Sequence, residues 1–206
     1  MLMNVTSEKD FHLETVFKDD FENAASGWEQ TNKSMEQSFI KDGYYWMKNF
    51  ETFGWKFYHL PMPKGVIKNF TISTQIELLK HPGYGQFGLV WGFNKPHRIL
   101  NRFVVSAEKK RFTVVKFEKN HLKRYHRFSN DFKQDEKNKN IFHLELMLLD
   151  DYYYFYLQRN PTPVYVCHKA HLMLEGFRFG FYVEPGIHIR ASEITIQHIS
   201  KNQQKE

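Results

Sequence analysis

The chain has 206 residues, 41% of them hydrophobic and 25% charged, which excludes a disordered or collagen-like polymer. Its 20 Phe, 11 Tyr and 4 Trp are heavy for a helical bundle and ordinary for a β-sandwich, whose pleated surfaces suit aromatic side chains. The formal charge of +6 is modest, the single cysteine excludes an internal disulfide, and no apolar run approaches the roughly 18 residues of a membrane-spanning helix.

Residues 1–17 carry Glu8, Asp10 and Glu14 and lack the apolar core and small-residue cleavage site of an export signal. A cytoplasmic location is therefore expected, and the sequons at Asn4, Asn32 and Asn69 carry no weight. Further along, the dominant pattern is alternation with a period of two. Phe70, Ile72, Thr74, Ile76 and Leu78 share one face, as do Phe142, Leu144, Leu146 and Leu148. Phe177, Phe179, Phe181 and Val183 repeat the pattern, and Ile194 and Ile196 close it. Shorter strands are predicted over residues 44–49, 55–60, 86–92, 101–106, 111–118, 121–128, 152–157 and 164–168.

Turn residues punctuate these segments at regular intervals. Asp42-Gly43 predicts a tight turn, and loops fall at residues 61–65, 81–85, 131–140, 160–163 and 184–186. Strands at such spacing, with no sustained helical period between them, predict a sandwich or barrel and not a βαβ fold. The organisation expected is a short N-terminal extension over residues 1–15, one domain over 16–199, and a polar tail over 200–206.

The chemistry-bearing residues point away from catalysis. Glycoside hydrolysis needs two carboxyls about 5–9.5 Å apart, and no Glu-x-Asp-x-x-Glu run sets them on one strand face. Glu77, Glu145 and Glu193 stand alone on strands, while Asp19-Asp20 and Asp150-Asp151 are adjacent and so point to opposite faces if extended. His168-x-x-His171 has chelating spacing but no nearby Cys or Asp partner. Asp19 and Asp20 fall short of the six to eight oxygens that calcium takes. No Gly-x-Ser-x-Gly elbow and no phosphate-cradling loop occurs. No cofactor and no metal site is expected. The cations from Lys109 to Arg111 and from Lys123 to Arg127 interleave with Phe112, Phe117, Tyr125 and Phe128. Such a pattern can stack single-stranded nucleic acid, but the shared parity of Phe112 and Val114 favours a hairpin with a charged outer face and an aromatic inner one.

Several segments in order carry a resemblance. They are Asp19-Asp20-Phe21 with Gly27-Trp28, Ile40-Lys41-Asp42-Gly43-Tyr44-Tyr45, and Gly85-Gln86-Phe87-Gly88-Leu89-Val90-Trp91-Gly92. Asn101-Arg102-Phe103-Val104-Val105-Ser106, Gly176-Phe177-Arg178-Phe179-Gly180-Phe181-Tyr182-Val183 and Ala191-Ser192-Glu193-Ile194-Thr195-Ile196 complete the set. Together they resemble the concanavalin A-like lectin/glucanase superfamily, and within it the bacterial laminin G-like jelly-roll modules. The resemblance implies an all-β, two-sheet antiparallel β-sandwich of about a dozen strands, a concanavalin A-like jelly roll with one concave sheet. Because that fold hosts lectins, glycosidases and adhesive modules, it does not imply one activity.

The expectation is a non-catalytic binding module with lectin-like carbohydrate recognition. The alternatives are a protein–protein interaction module or partner subunit, and a glycan-active hydrolase with a degenerate acid pair. Four residues are nominated for the ligand site. Tyr84 lies in a Gly-flanked loop, Trp55 follows Gly54, Trp91 precedes Gly92, and Arg102 alternates with the buried parity of Phe103. Trp28 is expected in the core.

Overall fold

Alternation along the chain becomes fifteen strands among the described residues of a computed structural model. Those residues are 11–64, 68–94, 99–106, 108, 111–118, 138–172, 174 and 176–201, with the backbone alone for 121–129. In order the strands are β1 (Phe11–Asp19), β2 (Thr31–Lys33), β3 (Glu36–Lys41), β4 (Tyr44–Asn49) and β5 (Lys56–Pro61). Then come β6 (Phe70–Lys80), β7 (Phe87–Asn94), β8 (Ile99–Ser106), β9 (Arg111–Glu118) and β10 (His121–Ser129). The last five are β11 (Ile141–Leu149), β12 (Tyr152–Leu157), β13 (Tyr165–His168), β14 (Arg178–Val183) and β15 (His188–Lys201).

All pairings are antiparallel, and they build two sheets. One runs β13–β12–β11–β6–β15–β4–β3–β2, with β1 also on β15. The other runs β10–β9–β8–β7–β14–β5. The long β15 gives one edge to β6 and divides the other between β4, through residues 188–191, and β1. The alternation predicted for β6 holds: Phe70, Ile72, Thr74, Ile76 and Leu78 are buried, while Ser73, Gln75 and Glu77 are half-buried on the opposite face. Asp42 and Gly43 join β3 to β4 with φ of 54° and 69°, the left-handed pair that a two-residue hairpin turn requires.

Four sequence expectations need correction. β1 opens at Phe11, so residues 11–15 are not an extension but a strand opposite Lys201 to Gln197 of β15. β15 likewise runs past residue 199 to Lys201. β14 begins only at Arg178, which leaves Phe177 57% exposed instead of on the buried face. β7 does not end at Gly92; that residue, at φ 66°, bulges the strand, which continues to Asn94.

The space between the sheets is filled by rings. Trp28 packs with Tyr45, Phe179 and Phe181, as expected of a core residue. Its Nε1 donates to Asp19 Oδ2 at 2.8 Å, and Asp19 Oδ1 accepts from the Phe21 amide at 2.8 Å. Both oxygens of the first acid weighed for calcium therefore satisfy buried donors of the chain itself.

Candidate ligand-binding face

Alternate residues of the six-stranded sheet point away from the core, and on this sheet they too are apolar. Across it, one row in register reads Phe57, Tyr182, Gly88, Val104 and Thr113. The next reads His59, Gly180, Val90, Arg102 and Val115. Val90, Leu100, Val104 and Tyr182 form a second hydrophobic cluster separate from the core, with Trp55, Phe57, Phe93 and Phe117 packed against it. The two glycines in these rows admit no other residue: at φ 156° a Cβ on Gly88 would meet the Phe103 carbonyl oxygen, and one on Gly180 that of Tyr58.

Ring contacts describe the shape of this face. Trp55, just ahead of β5, lies 5.1 Å from Phe57 and 5.4 Å from Phe117 of β9. Strands β5 and β9 have β14, β7 and β8 between them, so a flat sheet would hold them roughly 19 Å apart, at about 4.8 Å per strand. Two side chains cannot close that gap unless the sheet curls toward its outer face. Phe57 also contacts Tyr182 at 5.6 Å and Phe93 at 5.8 Å, and Phe93 reaches His59 at 5.0 Å. The result is an aromatic layer in a trough, with Trp55 and Phe117 meeting across it.

Arg102 of β8 belongs to the same face. Its guanidinium sits over the Tyr182 ring at 4.4 Å, the residue is 8% exposed, and its Nε has no hydrogen-bond partner. The Tyr182 hydroxyl donates to Glu184 Oε1 at 2.8 Å, and burial holds the phenol above its ordinary range. At the β5–β14 edge, exposed Arg178 Nη1 lies 3.0 Å from His59 Nδ1.

The four nominated residues separate. Trp55 and Arg102 share the trough. Trp91 does not reach any surface: it is 0% exposed and faces the nine-stranded sheet, 5.7 Å from Tyr153 and 5.8 Å from Phe155. Gly92 bulges the strand beyond it instead of ending it, so Trp91 stays between the sheets as a core residue and not as part of the expected site. Tyr84 is 63% exposed in the β6–β7 loop, at the end of the sandwich where the β4–β5 and β14–β15 loops also lie. Phe57, Phe93, Phe117 and Tyr182 were not nominated; only the parity opposite to Tyr58, Phe181 and Val114 marks three of them in the sequence. Phe112 and Val114 are buried in the core, as their shared parity predicts. The side chains of Lys123 to Phe128, with Lys109 and Lys110, fall outside the described residues.

No family model matches the chain, and no curated protein matches it. Solved structures do. A Bacillus subtilis protein of unknown function with a galectin-like fold superposes with a TM-score of 0.64 at 11% identity, over 92% of this chain and 98% of that one. The CBM2 module of the evolved Dit of Lactobacillus casei BL23 phage J-1 gives 0.62 at 11%, over 95% and 100%. The endo-β-1,3-glucanase of Pyrococcus furiosus gives 0.60 at 8%, over 92% and 96%. The fold is that of the concanavalin A-like lectins and glucanases. At such identities the likeness speaks for the fold alone.

One acid stands beside the trough, Glu184 just past β14, where it accepts from the Tyr182 hydroxyl. Among the described residues, the outward positions of β5, β14, β7, β8 and β9 carry no carboxylate. Glu77, Glu145 and Glu193 are on the outer face of the nine-stranded sheet. Glu77 is held by Arg190 at 2.6 Å, and burial raises the Glu145 carboxyl above its ordinary range. No three His, Cys, Asp or Glu side chains converge among the described residues. His168 caps a short 3-10 turn, its Nδ1 accepting from the Ala170 amide at 3.2 Å. Buried Cys167 has its thiol pushed up to about 12, far from a nucleophile's range. No helix among the described residues is long and apolar enough to cross a membrane.

Proposed function

We propose that this protein is a non-catalytic glycan-binding module whose site is the curled outer face of the six-stranded sheet. The observation that carries the reading is the second aromatic layer, Trp55, Phe57, Phe93 and Phe117, on the side of a sheet that the core does not need. A sugar ring offers an apolar C–H face to an aromatic ring and hydroxyls to polar groups beside it. Trp55 supplies the ring here; Arg102, His59 and Arg178 supply the polar groups. Support comes also from the company the fold keeps, since the superposed structures include an endo-β-1,3-glucanase and a CBM2 module. Hydrolysis is not part of the proposal, because the outward positions of the described strands hold no carboxyl pair.

A glycan array followed by calorimetry on the hits tests this. Trp55→Ala is expected to weaken binding by about tenfold, the scale set by losing one aromatic contact of about 1.5 kcal/mol. An array with no hit, or a Trp55→Ala variant that binds like the wild type, would overturn the reading. A second reading rests on different residues. Phe53, 85% exposed in the β4–β5 loop, and Tyr84 form an apolar rim at one end of the sandwich, which suits a protein partner. Under that reading Phe53→Ser with Tyr84→Ser abolishes capture of the partner and leaves glycan binding unchanged.

A further inference from the structure

The trough contains a charge that the fold does not neutralise. An arginine withdrawn from water is unfavourable unless a carboxylate or a full set of acceptors replaces the lost hydration. Arg102 is more than nine-tenths buried, no carboxylate is paired with it among the described residues, and its Nε donor points at no acceptor. Its charge is met by the face of Tyr182, and a ring quadrupole offsets only part of a cation's desolvation. On the other sheet a half-buried arginine has its acid: Arg190 Nε and Nη2 both reach Glu77 Oε2, at 2.7 and 2.6 Å. The difference lies in location, for Arg102 stands in the middle of the face proposed to hold ligand.

Resting on that glycan-binding reading, we infer that the ligand is an acidic glycan and that Arg102 receives its carboxylate. A guanidinium is a planar fork whose N–H donors match the two oxygens of a carboxylate, as in a uronic-acid residue. Arg178 and His59 stand at the edge of the same face, the outward positions of its described strands hold no carboxylate, and Glu184, just past β14, is engaged by the Tyr182 hydroxyl and not by Arg102. Access is through Trp55. That residue stands outside β5 and follows Gly54 at φ 95°, so its ring can leave Phe117 without breaking a strand pairing. The Trp55 ring then becomes the surface on which the sugar stacks.

Calorimetry of the full chain with trigalacturonic acid, its methyl ester and laminaritriose, at 0.15 M salt, tests the inference. The acid is expected to bind about tenfold or more tighter than its ester, the scale of one charge-assisted hydrogen bond. Arg102→Gln should erase that preference, and Arg102→Lys should keep only part of it, because a lysine keeps the charge and loses the fork. Lys41→Gln, an exposed cation on the other sheet, should leave it intact. Thermal denaturation confirms that each variant folds. Equal affinity for acid, ester and neutral trisaccharide would overturn the acidic-glycan inference and leave the glycan-binding reading standing. So would a preference that survives in Arg102→Gln, or dextran sulfate binding in preference to the uronate. Failure to bind any glycan would overturn the reading itself.

Discussion

The outer faces of the two sheets use the same residue types to different ends. On the nine-stranded sheet, Arg190 lies 4.0 Å from the Tyr44 ring and 5.1 Å from that of Trp46, and Glu77 takes its charge. Beside it Lys48 sits over Phe39, whose ring is stacked with Trp46. Both cations in that group have a ring, and Arg190 has a carboxylate as well. On the six-stranded sheet Arg102 has the ring and lacks the acid. A closed ion pair stabilises a surface; an open one waits for a counter-charge. The contrast teaches that an aromatic–cation group is informative about binding through the partner it lacks, not through its composition.

The largest effect that could break this comparison comes from the tryptophans. Trp91→Ala should cost about 3–5 kcal/mol, because it empties the core between Tyr153 and Phe155. Trp55→Ala should cost about 1 kcal/mol, the typical scale for losing a partly covered ring contact. Chemical denaturation measures both, and equal losses would mean that the trough is a second core and not a site.

A sharper measurement compares the two arginines. Arg190→Met strands Glu77 without its partner and should lower stability by about 1.5–3 kcal/mol, the range for hydrogen bonds to charged groups. Arg102→Met removes an unpaired buried charge and keeps the apolar stem, so it should be neutral or stabilising by about 1 kcal/mol. If Arg102→Met destabilises as much as Arg190→Met, the Arg102 charge is already compensated inside the fold.

The smallest effect concerns acid on the closed face. Burial raises the Glu145 carboxyl, so in the folded state it holds a proton that the unfolded chain has released. Folded protein then binds more protons in the window upward from the ordinary glutamate value of about 4.3, and stability falls as pH rises through it. Glu145→Gln removes that loss. Its melting temperature should gain on the wild type between pH 4 and pH 7; a constant difference across that interval would show the carboxyl to be unperturbed.

Legibility in the sequence tracked one-sidedness. β6, β11 and β12 each bury one face and wet the other, so a period of two marks both the strand and its inward residues. β8 is buried at all eight positions and β7 at its first six, which leaves no alternation to say which residues face the core. The depth of Trp91 on β7, and the outward placement of Tyr182 on β14, which is buried at its last five positions, were hidden for that reason. β1 was missed on opposite grounds: most of its residues are exposed, with a bulge between Thr15 and Phe17. Its place comes from pairing with β15, a relation between distant segments that no local window contains. Arg102 was legible as facing away from the core, but its burial and its contact with the Tyr182 ring come from neighbouring strands that no local window contains.

That pairing of β1 with β15 has a mechanical side. Phe11 lies opposite Lys201, and the two strands run back from there to Asp19 and Ile194. Tension entering through the chain on either side of the sandwich therefore arrives at adjacent residues and pulls them apart across the ladder. Its hydrogen bonds are then loaded one after another, as in a zipper, instead of all together as in shear. Phe17, whose ring meets Phe179 of the six-stranded sheet at 5.3 Å, is the point at which such peeling would reach the core.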